Sequence, residues 1–225
     1  MLKPLRELLD CVSQFSFSNQ VYFVGGTALE YHLSHRTSFD LDIATTDDCL
    51  DRANIESLIR HLRASGHEVV DVLPLFEIAN FENDGLDLRD YHQDHEVDGV
   101  RLTLFTFGET EAQKNILLND TASPYGSLNI ASVDAIFKMK SLVLIDRNKS
   151  RDVFDLYYMI NHCKYDATEI FKHLSDLRPN ASDQIAKNRL INHKFQLTDE
   201  GYDEKDTGVT KHEVALFFRQ LLVKK

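Results

Sequence analysis

Asp40 and Asp42 are separated by a single residue, and this spacing can do chemistry. Phe39, Leu41 and Ile43 alternate with them, so the segment reads as a period-2 strand. Residues i and i+2 of a strand project from one face, which places both carboxylates opposite Phe39, Leu41 and Ile43. Two carboxylates held that close raise each other's pKa unless something neutralises them. A divalent cation does so, and Mg²⁺ commonly takes one or two carboxylates plus substrate phosphates. The same spacing also fits a half-exposed edge strand with two solvated aspartates.

Fifteen or so residues earlier, the apolar run Val21–Val24 stops at Gly25-Gly26, and Thr27 can cap a short helix over 28–33. A strand that ends in two glycines and enters a helix presents backbone N–H groups with no side chain in front of them. The helix N-terminus there favours negative charge. Thr27 adds a hydroxyl donor. A tight turn needing positive φ accounts for the glycines equally well. Taken together, strand, Gly-Gly-Thr, helix and D-x-D strand form one local unit that can bring phosphate donors near metal carboxylates.

The run V-G-G-T-A-L-E-Y-H-L-S-H-R-T-S-F-D-L-D resembles the signature of the AbiEii/AbiGii toxin nucleotidyltransferases, within the DNA polymerase β-like superfamily. Gly25, Gly26, Thr27, Arg36, Ser38, Asp40 and Asp42 fall where that pattern puts them, and Ser34 stands in place of a glycine. The resemblance implies nucleotidyl transfer. A nucleoside triphosphate (NTP) and Mg²⁺ (or Mn²⁺) bind, an acceptor hydroxyl attacks the α-phosphate, and pyrophosphate leaves. It implies Asp40 and Asp42 as metal ligands, and Gly25, Gly26, Thr27, Arg36 and Ser38 as nucleotide-binding residues. Arg36 is open to two readings, a phosphate contact or a structural salt bridge. The family also implies a type IV-like toxin–antitoxin or abortive-infection setting, with tRNA or protein as acceptor and a cognate antitoxin as partner.

A second cluster follows past the middle of the chain. Lys138, Lys140, Arg147, Lys149 and Arg151 are basic in an otherwise acidic protein, and Asp152 and Asp155 share a helix face at i and i+3. Such a patch can meet triphosphate charge, or it can be a solvated face laced with salt bridges. Lys140, Arg147, Arg151, Asp152, Asp155 and Leu156 match the family's later motif. That match implies Lys140 as a triphosphate contact, Asp152 as a residue that positions the nucleotide or Lys140, and Arg151 and Asp155 as nucleotide-binding. Lys138 takes the role of Lys140 if the register shifts.

One part of the polymerase β-like pattern is missing. A third carboxylate normally sits on a later strand, and the natural strand, from Val100 to Phe105, carries Thr103 there. Three readings stay open: two ligands suffice, with Asp152, Asp71 or Glu77 supplementing them; the enzyme uses one metal; or the chain binds nucleotide without turnover. A separate alternative for the function is an antibiotic-modifying transferase whose acidic pocket is supplied by residues 82–98.

These residues need a framework. Helical spacing covers 4–14, 49–65 and 109–118, with further strands at 67–73, 100–105 and 128–130. Residues 82–98 hold seven carboxylates and one arginine and read as loop or as the polar ends of a hairpin closed by Asp98-Gly99. Segments 133–147, 151–163, 168–176, 182–193 and 210–223 read as helices, and 198–209 as a polar connection. The fold class expected is α+β (α/β): a polymerase β-like nucleotidyltransferase core with a mixed sheet flanked by helices over 1–125, then a helical C-terminal bundle over 126–225 that contributes Lys140 and Asp152 to the cleft.

The 225 residues carry 25 basic and 36 acidic side chains, a formal charge of −11. That argues against a surface coated for nucleic acid, though not against a local basic groove. No apolar run approaches the ~18 residues of a membrane span, and no signal peptide is evident at the start. Cys11, Cys49 and Cys163 form neither a disulfide framework nor a metal knuckle, so a cytoplasmic protein is expected. With no cysteine near His92 and His95, a structural zinc site is not expected there.

Overall fold

The computed structural model describes residues 1–107, 110–180, 182–195 and 202–223. The chain forms two compact units, Met1–Tyr31 with Ser38–Ser132, and His32–Thr37 with Val133–Lys225.

The first unit holds a mixed sheet. Its strands are β1 (Val21–Val24), β2 (Asp40–Thr45), β3 (Val69–Val72), β4 (His92–Val97), β5 (Val100–Thr106), β6 (Ser123–Tyr125) and β7 (Leu128–Ile130), in the order β3-β4-β5-β2-β1-β7-β6. β2 runs parallel to β5 and β1 parallel to β7, while the other neighbours are antiparallel. One face is apolar. Phe23, Leu41, Ile43, Leu102 and Leu104 lie in register across three strands and are all buried. The helices α1 (Lys3–Gln14) and α3 (Arg52–Ala64) carry matching stripes, Leu5, Leu8, Leu9 and Val12 on one and Ile55, Leu58, Ile59 and Leu62 on the other. Both pack with the sheet and with each other. Asp51 starts α3 by accepting the Asn54 N–H at 3.0 Å, as an N-cap aspartate should.

Between β1 and β2 lies α2 (Gly25–Leu33), which begins at the glycine pair itself rather than at residue 28. Phe39 precedes β2 and is half exposed instead of joining the buried face. The acidic stretch 82–98 is only partly loop, because its second half is β4. The turn Asp98-Gly99 has positive φ at both residues, 48° and 81°, the geometry of a tight two-residue hairpin. A helix that the sequence pattern does not announce, α4 (Leu75–Asn83), has no buried residue. The helix α5 (Glu111–Leu118) matches the expected element, whose first residue, 109, lies outside the described residues.

The second unit is helical: α6 (Val133–Val143), α7 (Ser150–His162), α8 (Ala167–Leu177), α9 (Asp183–Ile191), α10 (Glu204–Thr207) and α11 (Lys211–Val223). The helix α8 opens with a capping box between Asp166 and Glu169. Phe137, Phe154, Leu174, Leu190, Val214 and Phe218 are buried in it. Of the polar connection expected over 198–209, residues 198–201 lie outside the described residues, and 204–207 form α10. The mixed α/β core and the helical C-terminal region are therefore both present. No helix among the described residues is long and apolar enough to cross a membrane.

Candidate active site

In the first unit, antiparallel pairing sets Asp42 opposite Val24, the last residue of β1, immediately before Gly25. The Asp42 carboxylate lies directly against Gly25. A Cβ on that glycine would overlap Oδ2 and approach Cγ to 3.1 Å, and Gly25 has φ of +78°. Gly25 is thus required twice, for a left-handed backbone and for the close approach of the carboxylate. Asp40 and Asp42 alternate with the buried Leu41 and Ile43, so both project from the face opposite α1 and α3. Each is half-buried. The turn, the first N–H groups of α2 and the carboxylate strand therefore meet as the local sequence unit requires.

Thr27 and Ser38 are also adjacent, but they face inward. Thr27 is fully buried, its hydroxyl lies 2.5 Å from the Asp40 carbonyl, and it lies 2.8 Å from the Ser38 hydroxyl. The Ser38 N–H donates to Glu30 at 3.2 Å, and Glu30 also pairs with the N-terminal ammonium at 2.7 Å. These contacts fix the start of β2 against α2. Thr27→Val, which keeps the shape and removes the hydroxyl, is expected to cost about 1–3 kcal/mol by stranding a buried acceptor. Urea unfolding checks this, and a change below about 0.5 kcal/mol would show that the clamp is unimportant.

The position of the missing third carboxylate is explained one strand further on. Thr103 pairs with Asp42 across the β2–β5 ladder and with Asp94 across the β5–β4 ladder. Its hydroxyl donates to Asp94 Oδ1 at 2.7 Å. Asp94, almost wholly buried, also accepts from Arg101, and its Oδ2 lies 3.1 Å from His92. Burial pushes the Asp94 carboxyl up, and the hydrogen bonds from His92, Arg101 and Thr103 outweigh it, holding the group below the usual carboxylate range. Arg101 pairs in register with Asp40, and its guanidinium is held charged first by Asp94 and then by the fields of Asp40 and Asp42. Sequence reading missed both Asp94 and Arg101. The signal was the Asp98-Gly99 turn, because a two-residue hairpin there fixes residue 94 opposite residue 103.

In the second unit, Asp155 is fully buried and contacts two cations and a histidine ring. Arg36 approaches it bidentately at 2.6 and 2.9 Å, Lys140 Nζ lies at 2.9 Å, and His35 Nε2 at 2.8 Å. His35 stacks on Phe154 with an interplanar angle of 7°. Asp152 binds Lys140 at 2.5 Å and Arg147 at 2.7 Å. Burial raises both carboxyls, but the neighbouring charges prevail: Asp155 sits well below its ordinary range, and Asp152 falls to about 2. Lys140 is 6% exposed and clasped between two carboxylates. Arg36 forms a buried ion pair, the structural alternative for that residue. Arg151 is half-buried on α7, and Lys138 pairs with Asp134 at 2.6 Å.

No group of three or more His, Cys, Asp or Glu among the described residues is arranged to hold a metal ion. Two oxygen-donating carboxylates beside a side-chain-free turn do suit a hard cation whose remaining ligands come from substrate phosphates and water.

Residues 7–216 match the family described as nucleotidyl transferase AbiEii toxin, type IV TA system. Two crystal structures from Helicobacter pylori are similar in fold. JHP933 aligns with a TM-score of 0.51 at 16% identity, covering 99% of this chain and 90% of that one. A proposed nucleotidyltransferase aligns at 0.50 and 16% identity, covering 99% and 93%. No curated protein matches.

Proposed function

The chain belongs to the AbiEii nucleotidyl transferase toxin family of type IV toxin–antitoxin systems, and from that premise we propose that it transfers a nucleoside monophosphate from an NTP to an acceptor hydroxyl on tRNA or protein. Family membership makes it a nucleotidyltransferase, and in general brings an NTP substrate, divalent metal and an antitoxin partner. The finer assignment of residues rests on one observation, the Asp42 carboxylate seated against the bare Gly25 turn.

Asp40 and Asp42 would hold the cation, Mg²⁺ or Mn²⁺. Bound there, it would supply charge neutralisation to the phosphates and polarise the attacked α-phosphate. The backbone N–H groups at Gly25 and Gly26 bind phosphate oxygens without a side chain in the way. Thr27 and Ser38 keep β2 at the correct height beneath them. Lys140 and Arg151 answer triphosphate charge, and Asp152 orients Lys140 through its 2.5 Å contact. Arg36 and Asp155 hold Lys140 within a buried ionic network.

The test is labelling with each α-labelled NTP in turn, with Mg²⁺, in the presence of total RNA and of the protein alone. Labelled RNA or labelled protein, lost with EDTA, is the expected result; absence of labelling with every NTP sinks the reading. A second reading, nucleotide binding without turnover, is favoured by Thr103, whose hydroxyl is committed to Asp94 where a third acid would otherwise stand. Calorimetry showing Mg²⁺-dependent NTP binding with no pyrophosphate released would select it.

A further inference from the structure

The apolar side of the sheet carries a second feature that nucleotidyl transfer does not use. A surface cavity of about 330 Å³ is lined by four arginines and His95. Arg52, Arg60 and Arg63 come from α3 at i, i+8 and i+11, one stripe of the helix, and Arg89 joins them from the turn before β4. The register fixes which side this is. His95 pairs with Asp71 and Leu102, and Leu102 with Leu41, so His95 belongs to the row that alternates with Asp94, Thr103 and Asp42. The cavity therefore opens on the face opposite Asp40 and Asp42.

Its charge runs against that of the chain. The protein carries −11 overall, yet the lining itself sets four guanidiniums beside two carboxylates, Glu56 and Asp71, with Asp87 and Asp90 outside it pairing Arg52 and Arg89. Arg52 is braced from behind by Asp87 at 2.9 Å and Asp90 at 2.6 Å, and Arg63 by the Val69 carbonyl at 3.1 Å. Such bracing leaves part of each planar fork for a further acceptor. His95 supplies an independent sign. It is 6% exposed, its Nδ1 is fixed 2.9 Å from Asp71, and its Nε2 is buried with no hydrogen-bond partner. A buried polar atom without a partner calls for one, and an anion is the partner that suits the imidazolium, in which Nε2 donates as well as Nδ1.

We infer that this cavity is a phosphate-binding site, separate from the metal-dependent centre, for the phosphates of a small molecule or of a nucleic-acid backbone. The volume lies at the low end for small-molecule pockets, ~300–1,000 Å³, and suits a diphosphate or a single backbone step. The site stands whether or not the proposed reaction does, because it shares no residue with Asp40, Asp42 and the Gly25 turn, and Asp71, an expected supplementary ligand, lies in register with His95 on this opposite face.

The experiment uses the full chain in EDTA. Inorganic pyrophosphate is titrated by calorimetry, and a short RNA duplex by fluorescence anisotropy. Wild type and Asp42→Ala should bind with equal affinity. Arg60→Ala with Arg63→Ala, both at exposed side chains, should weaken binding about tenfold or more, and Arg60→Glu alone should do likewise. The His95 imidazole resonances should shift on saturation. Pyrophosphate binding alone identifies a small-molecule site. RNA binding whose salt slope falls by roughly 2 in the double variant identifies a backbone site. Binding of neither probe, affinity unchanged in both arginine variants, or loss of binding in Asp42→Ala would each overturn the inference.

Discussion

Asp42→Ala should lower nucleotidyl transfer by about a thousandfold or more while the protein unfolds at nearly the same urea concentration. The carboxylate is half-buried and faces the turn rather than the core, so its removal opens no apolar cavity. Loss of one fixed charge that acts on the transferring phosphate typically costs ~10²–10³ in rate, and loss of a cation ligand compounds it. Gly25→Ala is the sharper companion. The added Cβ meets the Asp42 carboxylate, and the residue must hold φ of +78°. The expected result is the same collapse of activity with both carboxylates still present, together with about 1 kcal/mol of backbone strain. A Gly25→Ala protein with wild-type transfer would show that the contact between turn and carboxylate is unrelated to function. A Gly66→Ala control, at a positive-φ glycine with open space around it, separates backbone strain from displacement of the carboxylate.

Asp155→Ala should be among the most destabilising single substitutions in the chain. It takes from Arg36, Lys140 and His35, around a fully buried hole, the carboxylate that all three contact. Breaking a buried ion pair by removing one partner costs about 3–5 kcal/mol, enough to lower the melting temperature by roughly 10 °C at this chain length. The same network gives the protein an acid limit. Both aspartates titrate lower in the folded chain than when unfolded. Their contribution is therefore complete above about pH 4 and declines as pH falls through the folded values. For Asp152, buried but overruled by Lys140 and Arg147, the window runs from 3.8 down to about 2. A shift of that size is worth about 2 kcal/mol. Unfolding free energy should thus drop between pH 4 and pH 2, and less steeply in Lys140→Met measured against its own neutral-pH value. Flat stability across that range would refute the assignment.

The sequence by itself determined the parts whose physics is local. Alternation around Asp40 and Asp42 put them on one face, since a strand's side-chain period is two wherever it lies. The Gly25-Gly26 pair marked a place where the backbone needs freedom and bare approach. The Asp98-Gly99 turn, once taken as a hairpin, already held the register of β4 and β5. Only the tertiary structure decided the partners. Asp155 meets Arg36 across 119 residues, and nothing in a local pattern tells an ion pair from a ligand contact. That is settled by burial, which forces every enclosed charge to find its opposite. The same demand for buried partners turned Thr27 and Ser38 toward each other and tied the Thr103 hydroxyl to Asp94.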